Sequence, residues 1–142
     1  MKITLCHSLK FVERAREIKK ELTDRGVEVF TTPFIDKTPE EIEEILSDKR
    51  NYLDNMKAGF IKEHFDKVSK SDAILVINLD KKGIKNYVGG NAFAEIMFAF
   101  FLNKKIFFLN PIPSDERLSF IRDEIEAVKP IVLNGNLELI ND

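Results

Sequence analysis

Apolar positions recur along this chain with two alternating periods, and the alternation outlines a fold. "KITLC" (2–6) reads as a strand, and "SLKFVERAREIKKELTDRG" after it sets Phe11, Ala15, Ile18 and Leu22 at helical spacing before Gly26 ends the pattern. "VEVF" (27–30) is a second short strand. In "TPEE", Thr38 as N-cap, Pro39 at the first helical position and Glu41 closing a capping box start a helix near Pro39. From Ser47 to Ser69 the chain is charged, with Leu53, Met56, Phe60, Ile61, Phe65 and Val68 at helical spacing. Gly59 is where that segment has room for a break or kink, and its outer part is a candidate lid.

"DAILVINLD" (72–80) is almost continuously β-branched and aliphatic, the pattern of a central parallel strand covered on both faces. A helix from about Asn91 to Asn103, a strand in "KIFFLN" (105–110), a helix in "SDERLSFIRDEIEAV" (114–128) and a strand in "IVLNG" (131–135) complete the alternation. With no repeat, linker or low-complexity segment, the pattern predicts one α/β domain over residues 1–142. Its expected architecture is a doubly wound sandwich on a mainly parallel five-stranded sheet, order 2-1-3-4-5. Such sheets bind ligands at the carboxyl ends of strands one and three, where the order reverses. Cys6, His7 and Ser8 stand at one of those ends; Asn78, Leu79 and Asp80 stand at the other, followed by the loop to Glu95.

Composition changes the picture only by exclusion. A chain of 142 residues that is 44% hydrophobic and 32% charged, with net charge −2, describes a soluble globular domain and not a nucleic-acid wrapper. Its one cysteine, Cys6, rules out an internal disulfide, so the cytoplasm is the expected compartment. The longest apolar run, Ala92 to Leu102, is interrupted by Glu95 and too short to span a bilayer, and neither a signal peptide nor a membrane anchor is read. Two histidines and one cysteine, far apart in sequence, predict no structural zinc. "CHSLKF" lacks the glycines of a dinucleotide fingerprint, so no cofactor is expected.

Candidate chemistry centres on "NYVGGNAFAEIMFAF" (86–100), where Glu95 lies among Ala92, Phe93, Ile96, Met97, Phe98, Phe100 and Phe101. A buried carboxylate costs on the order of several kcal/mol unless it is paired or used. A capping box is excluded, because Glu95 follows Asn91 by four residues where the box needs three. Two readings stay open: an acid that complements the helix macrodipole, or a desolvated acid tuned for catalysis. Gly89, Gly90 and Asn91 form either a plain turn or a backbone cradle whose amides meet an anion. Ser8 is either a plain cap or a contact to phosphate or a sugar hydroxyl. His7 fits an acid, a hydrogen-bond donor or a polar loop residue, and Asp80 a ligand contact or a solvated loop. By context alone, His64 beside Phe60 and Val68 reads as packing, and Cys6 at the end of a buried strand reads as a packing thiol.

"MKITLCHSLKFVERAREIKKELTDRGVEVF", "SDAILVIN" and "GGNAFAEIMFAFFLNKKIFFL" together resemble the nucleoside 2-deoxyribosyltransferase superfamily, including its nucleotide N-glycosidase branch. The likeness covers most of the chain and is weakest between Thr32 and Lys62. The resemblance implies a flavodoxin-like fold and cleavage of the bond between a base and C1' of a (deoxy)ribose, with Glu95 as the nucleophile. It expects an aspartate eight residues before Asp72, where this chain has His64, and a second acid before the glycines, where it reads "KNYVGG". His64, His7 or Tyr87 would then assist the leaving base. "CHSLK" stands where the phosphate-binding branch has Cys-Gly-Ser, which implies Ser8 as a phosphate or ribose contact and Asn91 with the Gly89 and Gly90 amides as a second cradle. The implied partners are a nucleoside or nucleotide and a second copy of the chain as a homodimer. A binding module that cleaves nothing is the alternative implied by the missing acids.

Overall fold

The computed structural model describes residues 1–141. Five strands, β1 (Lys2–His7), β2 (Glu28–Phe30), β3 (Ala73–Ile77), β4 (Lys105–Phe108) and β5 (Ile131–Val132), pair in parallel in the order β2-β1-β3-β4-β5. The helices are α1 (Val12–Asp24), α2 (Pro39–Ser47), α3 (Lys49–Asn55), α4 (Lys57–Ser69), α5 (Gly90–Phe101) and α6 (Ser119–Ala127). Short 3-10 turns over Leu9–Phe11 and Glu116–Leu118 lead into α1 and α6. The strand order is the expected one, and the sheet is flavodoxin-like.

The two faces of the sheet bury different helices because successive strand residues point to opposite sides. On one face Ile3 and Leu5 of β1, Leu75 and Ile77 of β3 and Phe107 of β4 meet Phe11, Ala15, Ile18 and Leu22 of the first helical segment. On the other, Cys6, Ile74, Val76, Ile106 and Phe108 meet Val68 of α4, Ala92, Ile96 and Ala99 of α5, and Ile121 and Ile125 of α6. Every residue of β3 is buried, as the unbroken apolar run predicts. The register pairs Cys6 with Val76 and His7 with Ile77, so β1 and β3 finish level and leave a crevice beyond them.

The expected break at Gly59 is corrected: Gly59 lies inside α4, and the segment divides at Asp48 and Met56 instead. Asp48 leaves the helical region (ψ 71°) and its carboxylate accepts the Asn51 N–H at 3.2 Å, a local bond that competes with continuing the helix. The fifth strand is shorter than 131–135 because Asn134 (φ 49°) and Gly135 (φ 80°) turn the chain. Leu133 and Gly135 still donate to the Phe108 and Leu109 carbonyls at 2.8 Å.

Candidate active site

A cavity of about 930 Å³ opens at the crevice beyond β1 and β3. Its floor is the end of β1 with His7 and Ser8 and the start of α5 with Gly89, Gly90, Asn91 and Glu95. Phe34 and residues of α2, α3 and α4, among them Ile42, Tyr52, Lys57, Phe60 and His64, form the opposite wall, and Lys81 and Tyr87 close one side. Phe34 and Phe60 meet edge to face at 5.2 Å, and Tyr52 stands 6.3 Å from Phe60, giving the wall an aromatic surface.

Glu95 shares the inward face of α5 with Ala92, Ile96 and Ala99 and is 7% exposed. Its Oε2 lies 3.0 Å from Nε2 of His64, which α4 brings across the sheet end. The same nitrogen is 3.8 Å from the Cys6 Sγ. One strand and two helices thus converge on a thiol, an imidazole and a carboxylate whose ligand atoms all lie within 4.8 Å of one another. The buried acid is paired, and His64 lines the cavity beside it. Burial, then the Glu95 charge and a hydrogen bond to Glu95, push the Cys6 thiol well above its usual range, so it stays protonated.

His7 places Nδ1 2.8 Å from the Ser8 carbonyl. A carbonyl only accepts, so Nδ1 carries the proton and Nε2 is a lone pair; that Nε2 is buried without a partner. Burial, against the opposing Ser8 bond, lowers the His7 pKa and keeps the ring neutral. Ser8 caps the 3-10 turn, accepting from the Lys10 N–H at 3.3 Å, and also accepts from Nζ of Lys81 at 3.0 Å. Lys81 lies 4.8 Å over the Tyr87 ring. Desolvation, then the charges of Lys82 and Lys10, lower its pKa.

Gly89 lets Tyr87 pack closely, since a Cβ there would sit 3.2 Å from the phenol oxygen and ring and push them by a few tenths of an ångström. Gly90 has open space, and no side chain caps α5, so the amides of its first turn stay available to a ligand.

Cys6, Asn78 and Asp80, also sequence candidates, do not line the cavity. Cys6 lies behind it, wholly buried, in reach of His64. Asn78 is spent on the scaffold: its amide donates to the Asn110 and Pro111 carbonyls and its oxygen accepts the Asn110 N–H, tying β3 to the end of β4. Asp80 accepts the Asn86 N–H at 3.0 Å and so folds the loop that delivers Lys81 and Tyr87. The expectation of no zinc rested on separation along the chain; the fold removes that separation for Cys6, His64 and Glu95. Lys57, Lys81 and the aromatic wall escaped sequence reasoning. Lys81 had a signal, because it follows Asp80 at the ligand end of β3.

An open parallel sheet with a carboxylate-floored cavity at its switch point defines the class: a flavodoxin-like domain with a cavity at the sheet's ligand end. The chain is similar to the 2-deoxyribosyltransferase of the psychrotolerant bacterium Bacillus psychrosaccharolyticus, at 20% identity over 78% of this chain and 73% of that one, with a TM-score of 0.53. It is also similar to the CMP N-glycosidase BcmB of Clostridium botulinum, at 16% identity over 94% of this chain and 90% of that one, TM-score 0.49. No family model and no curated protein matches the chain. The first of these likenesses carries the resemblance read in the sequence at the level of the fold. Among the described residues no helix is long and apolar enough to cross a membrane.

Proposed function

We propose that this protein cleaves or transfers at the N-glycosidic bond of a (deoxy)nucleoside or nucleoside 5'-monophosphate, with Glu95 as nucleophile. The observation that carries this reading is the buried Glu95 carboxylate on the cavity floor, held through Oε2 by His64 at 3.0 Å. That bond fixes the rotamer and leaves Oε1 to attack C1'. The C1'–N bond breaks with its electron pair leaving on the base, which takes up a proton; water or a second base then resolves the glycosyl ester. Tyr87 is the proton donor this arrangement favours, because His7 is neutral with only a lone pair to offer at Nε2. His7 instead accepts from a hydroxyl or an exocyclic amine. Phe34, Tyr52 and Phe60 provide a surface for the base, and Ser8, Lys81 and the open amides of α5 a place for a 5'-phosphate. We further read the working form as a homodimer.

Incubating the protein, under chelator, with ribo- and deoxyribonucleosides and their monophosphates, with and without an acceptor base, tests this reading by chromatography. Freed or exchanged base is expected, falling by roughly three orders of magnitude or more in Glu95→Ala. Unchanged release in that variant refutes the nucleophile. The second reading, a module that binds nucleotides intact, is favoured by His64 standing where the resemblance expects an aspartate. Thermal stabilisation by a nucleotide recovered whole after long incubation would select it.

A further inference from the structure

We propose that Cys6, His64 and Glu95 form a binding site for a divalent cation of borderline softness, Zn2+ above all, and that its occupation silences Glu95. The second half rests on the nucleophilic role proposed for Glu95; the first does not.

Hydrogen bonding holds this cluster only pair by pair: His64 reaches Glu95, and the Cys6 thiol reaches Glu95 and the Thr4 carbonyl. Nε2 of His64 has one in-plane position, yet it faces the Glu95 oxygen at 3.0 Å and the Cys6 sulfur at 3.8 Å. If it donates to the carboxylate it cannot accept from the thiol, and the reverse holds equally. A cation takes an electron pair from all three at once. Zinc bonds of ~2.3 Å to sulfur and ~2.0–2.1 Å to nitrogen or oxygen place neighbouring ligand atoms of a tetrahedral site roughly 3.3–3.6 Å apart. The 3.0 and 3.8 Å separations bracket that range.

The donor set selects the ion. A thiolate with an imidazole and a carboxylate suits Zn2+ and disfavours Mg2+ and Ca2+, which take oxygen. Three protein ligands leave the fourth position open, and His64 and Glu95 both line the cavity, so a water or a substrate atom can fill it. A second observation points the same way: His7, which follows Cys6 in β1 and lines that cavity, keeps a buried Nε2 lone pair without a partner. It is an acceptor for a water held on the ion. Binding releases one proton, from the Cys6 thiol, and shifts the neutral His64 ring's proton from Nε2, where it faced Glu95, to Nδ1. With an Oε2 electron pair drawn to the metal, the carboxylate loses nucleophilicity.

Zn2+ titrated calorimetrically into the reduced, chelator-stripped full chain is expected to bind at one equivalent with proton release. Co2+ in its place should give a near-ultraviolet thiolate-to-metal band in wild type that Cys6→Ser lacks. Outer-shell changes alone cost about 10–100-fold in metal affinity, so His64→Gln and Glu95→Gln should each weaken Zn2+ binding by at least about 100-fold. Thermal melts without metal check that each variant folds, and the wild-type Co2+ spectrum stands even if one does not. Absence of saturable binding, or of the thiolate band in wild type, overturns the site. Base release measured under chelator and with one equivalent of Zn2+ tests the silencing: loss with zinc supports it and equal turnover overturns it. Release under chelator without any zinc binding defeats the cation site alone. Zinc binding without release in either condition defeats the proposed reaction and the silencing, and leaves the cation site standing.

Discussion

His64 pairs with the Glu95 carboxylate at 3.0 Å and sits with it in near-complete burial, 12% and 9% exposed at the side chain. Removing the imidazole strands a buried acid, so His64→Ala is expected to cost about 1–3 kcal/mol in urea denaturation. The double variant with Glu95→Gln should lose less than the sum of the two singles, because the stranded group is then no longer a charge. A protonation effect belongs to His7. Burial depresses its folded pKa below the ordinary 6.5, so between the two values the unfolded chain binds more protons and stability rises with pH. Stability is therefore present above about pH 6.5 and lost as the pH falls through that value toward the folded pKa. Melts at about pH 7.5 and about pH 5.5 should show a larger acid loss in wild type than in His7→Gln; equal losses would remove His7 as the cause.

At the scale of elements, the two glycines that open α5 have separate duties. Gly89→Ala drives a methyl group into the Tyr87 ring at 3.2 Å, so the ring must shift and the side of the cavity with it. Gly90→Ala meets nothing within 4 Å and trims the freedom of the unfolded chain, so it is expected to be neutral or stabilising by up to about 1 kcal/mol. Melting temperature checks the contrast: it should fall in Gly89→Ala and hold in Gly90→Ala. The start of α2 was legible to the residue, because Thr38, Pro39 and Glu41 form the full capping box locally. The breaks at Asp48 and Met56 were not, since helical spacing of apolar residues runs through both and Gly59 was the more conspicuous breaker. Asp48 does what Thr38 does, with a carboxylate that accepts an amide three residues on, but without a proline or a return bond to mark it.

At the scale of the molecule, the central place of β3 was legible in its wholly apolar composition, and the order 2-1-3-4-5 followed as the commonest for a doubly wound sheet of this size. The cluster was not legible, because its members come from β1, α4 and α5, and Cys6 lies 58 residues from His64. Only the packing of α4 beside α5 brings them together. The same helix layer raises one more question at its outer surface, where Phe101 is 78% exposed, Phe120 75% and Phe100 54%. Large aromatic rings held in water along α5 and α6 are the composition of an interface core, which supports the homodimer reading. Each ring covered by a second copy contributes about 1.5–3 kcal/mol, so Phe101→Ser and Phe120→Ser should each weaken self-association by about tenfold or more. Sedimentation velocity over a range of concentrations measures it. A wild type that stays monomeric at the highest concentration would end the dimer reading, and dimers indifferent to both substitutions would place the interface elsewhere.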